Sequence, residues 1–386
     1  VWNFEMYNDD KIVDGFILGP KMREGKDKII ELSDEIREIS LFDPQFYQPK
    51  SNLEKMKQYD FFPNEICDGE YNTQVYNEVS DLSAKRCILF QLKQGYKYII
   101  IPSVVYNETP QNYLYDIRRL YIEPFVKAIK DLKVYNKERL LTVVIKESQL
   151  LDLDYINELL NLVTSYEEIT GVYLVPYYDE SVTKRIKNIE TINNLMKFIH
   201  VLKENEMYVH LAYSDIEGLI YSVGGIDSIS IGTFENLRRF NLRNFDKTKD
   251  DKTDKKHSNN PNKRIYSNKL LQWIDLNYLG GLKEVDNFDE LFEQNKYITS
   301  EVPEEQNWRF KHPELYKHYM MSIYNQYKRL PRSYNQRLDY IKEKLLCAKV
   351  QFERIEEFGI LFDTNNDGSH IPCWFTAINL FDKYKK

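Results

Sequence analysis

Five carboxylates, Asp43, Glu147, Asp179, Glu180 and Asp215, follow short apolar runs in the chain. Such runs read as buried strands, and acids just past strand ends are where parallel α/β folds gather their chemistry. Brought to one mouth, a pair of them can serve as general base, nucleophile or stabiliser of an oxocarbenium-like sugar. The plainer role for such an acid is to cap the following helix, and Asp179 and Asp215 suit that role too. Asp43 differs. It stands between Ser40-Leu41-Phe42 and Pro44, where the proline removes a ladder donor and holds Asp43 extended at the strand's end. Asp43, Asp179 and Asp215 are the catalytic candidates, with Glu180 as a substrate-binding candidate.

A second constellation is Gly232-Thr233-Phe234-Glu235, a turn that should open a helix, followed by Arg238, Arg239 and Arg243. Backbone donors at a helix start bind anions, and arginines add bidentate phosphate contacts. Exposed helical arginines are equally common with no ligand. The stretch Asp363-Thr364-Asn365-Asn366-Asp367-Gly368-Ser369 begins like a calcium loop, but Trp374 stands where the bidentate glutamate belongs, so a turn is expected. The histidines and the four cysteines, Cys67, Cys87, Cys347 and Cys373, show no ligand spacing, and no GxGxxG, Walker loop or GxSxG occurs. No metal and no cofactor is expected.

The elements that must hold these residues come next. Apolar runs lie at 14–20, 40–42, 98–106, 140–145, 172–175, 208–213 and 226–231, with helical spacing between several of them, as over 24–39. Their unbroken apolarity suits strands covered on both faces. The segment from Tyr208 to Phe240 reads strand, helix, Gly224-Gly225, strand, helix, the repeat of parallel α/β folds. The expected fold is α/β, a (β/α)8 TIM-like barrel over 1–285 with a C-terminal helical extension over 286–386. An open doubly wound sheet is the runner-up. Ile265–Ile274 is the candidate eighth strand. Before it, residues 246–263 carry six lysines and four aspartates with no apolar residue, the pattern of a solvated, disordered insertion.

The composition bounds the partners. A net charge of −7 argues against indiscriminate nucleic-acid binding, though a local basic stripe remains compatible with it. Thirty tyrosines are either stacking platforms or the mark of an AT-rich genome. No apolar run reaches the roughly 20 residues of a membrane span, and the first residues are unlike a signal peptide. The scattered cysteines suit free thiols in a reducing cytoplasm, so a cytoplasmic protein with no membrane partner is expected.

The Tyr208–Phe240 segment resembles the tRNA-guanine transglycosylase-like superfamily and its DNA-acting deazaguanine relatives. Ser214 stands at the Thr of the family's Thr-Pro-Glu-Asp-Leu helix start, and Gly225-Ile226-Asp227 reads as its Gly-Val-Asp, with no gap between them. Earlier, Phe42-Asp43-Pro44-Gln45-Phe46-Tyr47-Gln48 is similar to Thr-Asp-Ser-Gly-Gly-Phe-Gln, with Asp43 and Gln48 matching and Tyr47 at the Phe. The resemblance implies that Asp43 is the catalytic aspartate on the base side. With the helix-start residues Gly232, Thr233, Arg238 and Arg239, the residues Gln45, Tyr47, Gln48 and Ser230 are the further substrate-binding candidates. Two departures matter: Ser230 replaces the family's nucleophilic aspartate, and the CxCxxC…H zinc site is missing. The expectation is therefore hydrolysis of an N-glycosidic bond in nucleic acid, DNA before RNA, with the base flipped into the barrel mouth. Anti-phage DNA glycosylases that remove modified bases are similar. Base exchange on DNA or tRNA, a non-catalytic nucleic-acid or partner-binding barrel, and an enzyme of small phosphorylated metabolites are the alternatives.

Overall fold

The structure, a computed structural model, describes residues 2–22, 25–178, 185–232, 237–245, 263–286, 288–298 and 312–386. After two helical turns, Trp2–Glu5 and Met6–Asp10, comes a short parallel pair, β1 (Ile17–Leu18) and β2 (Leu41–Phe42). A five-stranded parallel sheet follows in sequence order: β3 (Tyr98–Ile101), β4 (Glu138–Lys146), β5 (Gly171–Tyr177), β6 (Tyr208–Ser214) and β7 (Ser228–Ile231). Parallel neighbours need crossovers, and helices such as Glu123–Leu132, Leu153–Thr164 and Ile189–Glu204 provide them. β4 and β5 are buried along almost their whole length, as their unbroken apolarity requires.

The sheet is rolled. Tyr98 on β3 donates from its hydroxyl to that of Tyr208 on β6 at 3.0 Å, although two strands lie between them. In a flat sheet, strands three spacings apart stand roughly 14 Å from each other. The roll does not close. The closed eight-stranded (β/α)8 barrel is corrected to an α/β half-barrel of five parallel strands with small sheets beside it. The run 265–274 does not enter the sheet; it folds back as an antiparallel hairpin, β8 (Arg264–Ser267) with β9 (Gln272–Asp275). Ser267 Oγ accepts from the Leu270 N–H at 3.1 Å, and Leu271 takes a left-handed φ of 49°. This turn splits what reads in sequence as one strand. The strand order never reverses, so the doubly wound alternative, with its switch point, does not apply either. The β1–β2 pair lies alongside β3, tied by the Lys97 N–H to the Ser40 carbonyl at 2.9 Å.

Shorter elements replace two expected helices. The 24–39 segment contains Lys26–Ile30 and Asp34–Glu38, separated at Ser33, whose Oγ accepts from the Ile36 N–H and so starts a second helix. After Asp215 the helix is a single turn, Gly218–Tyr221. The C-terminal helices His312–Lys328, Tyr334–Glu357 and His370–Lys385 pack onto the half-barrel and share its core. Trp374 is fully buried and donates from Nε1 to the Ile186 carbonyl at 2.7 Å. Residues 246–262 of the expected insertion lie outside the described residues. Among the described residues no helix is long and apolar enough to cross a membrane.

Gly171, on β5, sits at a close approach of neighbouring strands. A Cβ there would lie 2.4 Å from the Tyr208 carbonyl oxygen and 2.7 Å from Leu140 Cδ2. Gly171→Ala should cost about 1–3 kcal/mol in a denaturant titration, the usual range for overpacking. Unchanged stability would contradict this close approach.

Candidate functional site

Asp43 is where strand β2 stops. Its N–H donates to the Leu18 carbonyl of β1 at 2.8 Å, and the chain then turns sharply through Pro44. Gln45, with a left-handed φ of 57°, donates its N–H to Asp43 Oδ1 at 2.9 Å. Tyr47 donates its hydroxyl to Asp43 Oδ2 at 2.9 Å, and Tyr173 on β5 lies near enough to favour the ionised form of the same carboxyl. Asp43 is only 1% exposed. Burial pushes its pKa up to about 7, against the opposing pull of the Tyr47, Gln45 and Tyr173 bonds. A carboxyl that titrates near neutrality can both take and give a proton under working conditions.

The chamber around it is aromatic. Tyr213 joins Tyr47 and Tyr173 through a left-handed φ of 51° at an irregularity in the β6 ladder. Phe240 and Phe245, stacked on each other, both pack against Tyr47, and Phe240 also meets Tyr177 and Tyr213 edge-on. These two phenylalanines form a cover. His210 stacks on Tyr173, with ring centroids 5.3 Å apart and planes 3° apart. Burial lowers its pKa to about 3, so the imidazole is neutral, and Nδ1 pairs with Ser228 Oγ at 2.7 Å.

Asp215 belongs to a different cluster. It accepts from Arg185 Nη1 at 2.9 Å, the Tyr319 hydroxyl at 2.8 Å and Trp273 Nε1 at 3.3 Å. Burial would raise its pKa, but the charges of Arg185 and Arg238 and the bonds from Arg185 and Tyr319 hold it well below the usual carboxylate range. Glu217, also buried, shares Arg185 Nη1 at 3.7 Å. Burial first, and then the neighbouring charge of Asp215, raise its pKa. The two acids beside this guanidinium thus have pKa values shifted in opposite directions.

Of the residues singled out in the sequence, Asp43, Gln45 and Tyr47 meet at one place; Asp215 does not join them. Gln48 is half-buried one residue beyond Tyr47. Asp179, Glu180 and Thr233 lie outside the described residues. Glu147 accepts from Thr191 Oγ1 at 3.2 Å. Ser230 is half-buried on β7, and the Gly232 carbonyl accepts from Arg238 Nε at 3.0 Å. The expected helix carrying Arg238, Arg239 and Arg243 is corrected: the described residues run through bends to a short turn, Leu242–Phe245. Arg238 is not on an exposed helical face. It is buried with its guanidinium 4.1 Å from the Trp273 ring and 4.4 Å from that of Tyr319. Arg239 lies 6.0 Å from the Tyr178 ring. The 363–369 segment is a turn whose Asp363 carboxylate accepts from Asn365 and Asn366 within it.

Sequence reasoning missed Tyr173, Tyr213, Phe240, Phe245, Arg185 and Glu217. The period of two along Tyr173, Val175 and Tyr177 is a signal for the first, since alternate residues share a face. No protein-family model and no curated protein matches the chain.

The two clusters predict opposite pH behaviour. Asp43 has a raised pKa, so its contribution to stability is full below its unfolded value near 3.8 and is lost as pH rises through about 7. Asp43→Asn should flatten that decline. Asp215 has a lowered pKa, so its contribution is present above the unfolded value and is lost in acid. Asp215→Asn, which leaves Arg185 buried beside an uncharged amide, should cost about 3–5 kcal/mol near neutrality. Glu217→Gln replaces an acid whose charged form burial and Asp215 both disfavour, and should cost far less. Equal losses for Asp215→Asn and Glu217→Gln in thermal unfolding would contradict these assignments.

Proposed function

We propose that this chain cleaves an N-glycosidic bond in nucleic acid by hydrolysis, with a base of DNA as the leaving group. One observation carries the reading: a carboxyl with a pKa of about 7, held by phenol hydroxyls inside an aromatic chamber at a strand end. Aromatic walls suit a flipped planar base. In the reaction, the Asp43 carboxylate takes a proton from water while the water oxygen bonds to C1′. The C1′–N bond breaks with its electron pair on the base, and the proton held by Asp43 passes to the departing nitrogen. The products are free base and an abasic sugar bearing the new hydroxyl. The resemblance to the tRNA-guanine transglycosylase-like superfamily supports the same reading. Ser230 at that family's nucleophile position favours hydrolysis over base exchange.

The cover favours a second reading. Phe240 and Phe245 already lie on Tyr47 in the described state, which suits a nucleic-acid or partner-binding scaffold that does no chemistry.

Mass spectrometry of free base, released from modified and unmodified DNA, separates the two. Release should rise with pH to a plateau above about 7, where Asp43 is ionised. Asp43→Asn should lower it by about 10²-fold or more. Salt-dependent binding without any released base, or release untouched by Asp43→Asn, would reject the hydrolytic reading in favour of the scaffold.

A further inference from the structure

A row of polar side chains crosses the inner face of the sheet beneath the cover. Thr142 on β4, Tyr173 on β5, His210 on β6 and Ser228 on β7 are register partners in turn, so they stand side by side on one face. Tyr208 shares that face with His210, two residues on, and meets Tyr98 across the roll, which makes the face the inner one. Tyr177, which touches Phe240 of the cover, lies four residues beyond Tyr173, roughly 13 Å along the strand. Between the two levels β4 and β5 present Val144 and Val175 to the inside. Tyr173, in the middle of the row, also favours the ionised form of Asp43. The row is the floor of the Asp43 chamber.

Two atoms of this floor, Thr142 Oγ1 and His210 Nε2, are buried with no hydrogen-bond partner among the described residues. Thr142 is 2% exposed and His210 7%. A chain of hydroxyls makes Nε2 a donor. Tyr98 donates to Tyr208 at 3.0 Å, and Tyr208 donates to Ser228 Oγ at 2.8 Å. The proton of Ser228 is then left for His210 Nδ1, 2.7 Å away and its one acceptor among the described residues. The neutral ring therefore carries its own proton on Nε2. A buried donor with nothing to donate to is destabilising, and a ligand atom that accepts from it removes that penalty.

We propose that this floor reads the inner edge of the flipped base, with His210 Nε2–H donating to a carbonyl oxygen of the base. Thr142, whose hydroxyl can donate or accept, pairs with a neighbouring atom of that edge in either sense. The inference rests on the nucleic-acid reading of the Asp43 chamber and adds a specificity to it. Oxo bases are favoured over their amino counterparts, which turn an NH2 donor toward Nε2–H and leave both donors unpaired.

Two measurements test it. Nitrogen-15 NMR of the imidazole rings should place the His210 proton on Nε2, and a proton on Nδ1 would overturn the inference. The second uses otherwise base-free single strands that carry one uracil or cytosine, or one hypoxanthine or adenine. The oxo member of each pair should bind about tenfold more tightly. His210→Phe, which keeps a ring against Tyr173 but has no N–H, should abolish that preference. Ser228→Ala, which frees Nδ1 to hold the proton, should weaken it severalfold. Equal binding within each pair, no binding to any of the four, or a preference that survives both substitutions would each overturn the inference. Selective binding with no base released from any DNA would sink the hydrolytic chemistry alone. Base release that is indifferent to oxo or amino groups would sink the floor's role alone.

Discussion

The Asp215 carboxylate is a point where three parts of the molecule far apart in the chain converge. Arg185 follows β5, Trp273 is on the hairpin, and Tyr319 is on a C-terminal helix; all three donate to it. A closed barrel would secure its last strand with the first through backbone bonds. This half-barrel secures its open side with side chains that converge on one buried charge. Such an arrangement is stable only when the charge is fully hydrogen-bonded, because desolvation otherwise exceeds the Coulombic gain. Asp215 meets that condition with donors on both oxygens. Glu217 does not, since its Oε2 has no hydrogen-bond partner among the described residues, and burial raises its pKa.

The same constraint, met differently, explains the chamber. Among the described residues Asp43 has donors but no guanidinium partner, so burial dominates and its carboxyl is poised near neutrality. Tyr47 and Tyr173 supply enough hydrogen bonding to keep the ionised form accessible, and the phenylalanine cover excludes water. Stability and chemistry then pull against each other. The closed cover protects the carboxyl, and reaction requires it to open.

Part of this was legible in the sequence. The unbroken apolar runs mark the parallel strands, and Pro44 after Asp43 marks a carboxylate at a strand end. What could not be read is convergence. Asp43 and Asp215 both follow strands, yet Tyr213, in a left-handed conformation two residues before Asp215, turns to the chamber while Asp215 goes to the other cluster. No spacing rule encodes that bulge. The 265–274 run fails as a strand because apolarity alone does not separate one long strand from two short ones joined at Leu271. Arg238 reads as an exposed helical cation but is drawn under the rings of Trp273 and Tyr319, partners far along the chain. Lys21 and Phe245 meet only because the β1–β2 pair lies beside the cover.

The account stands or falls on the protonation of one carboxyl. A 13C NMR titration of the carboxyl carbons of labelled protein, with Asp43 assigned by its loss in Asp43→Asn, reads it directly. The account predicts a midpoint of about 7 for Asp43. A midpoint close to the ordinary aspartate value of about 3.9 would contradict it.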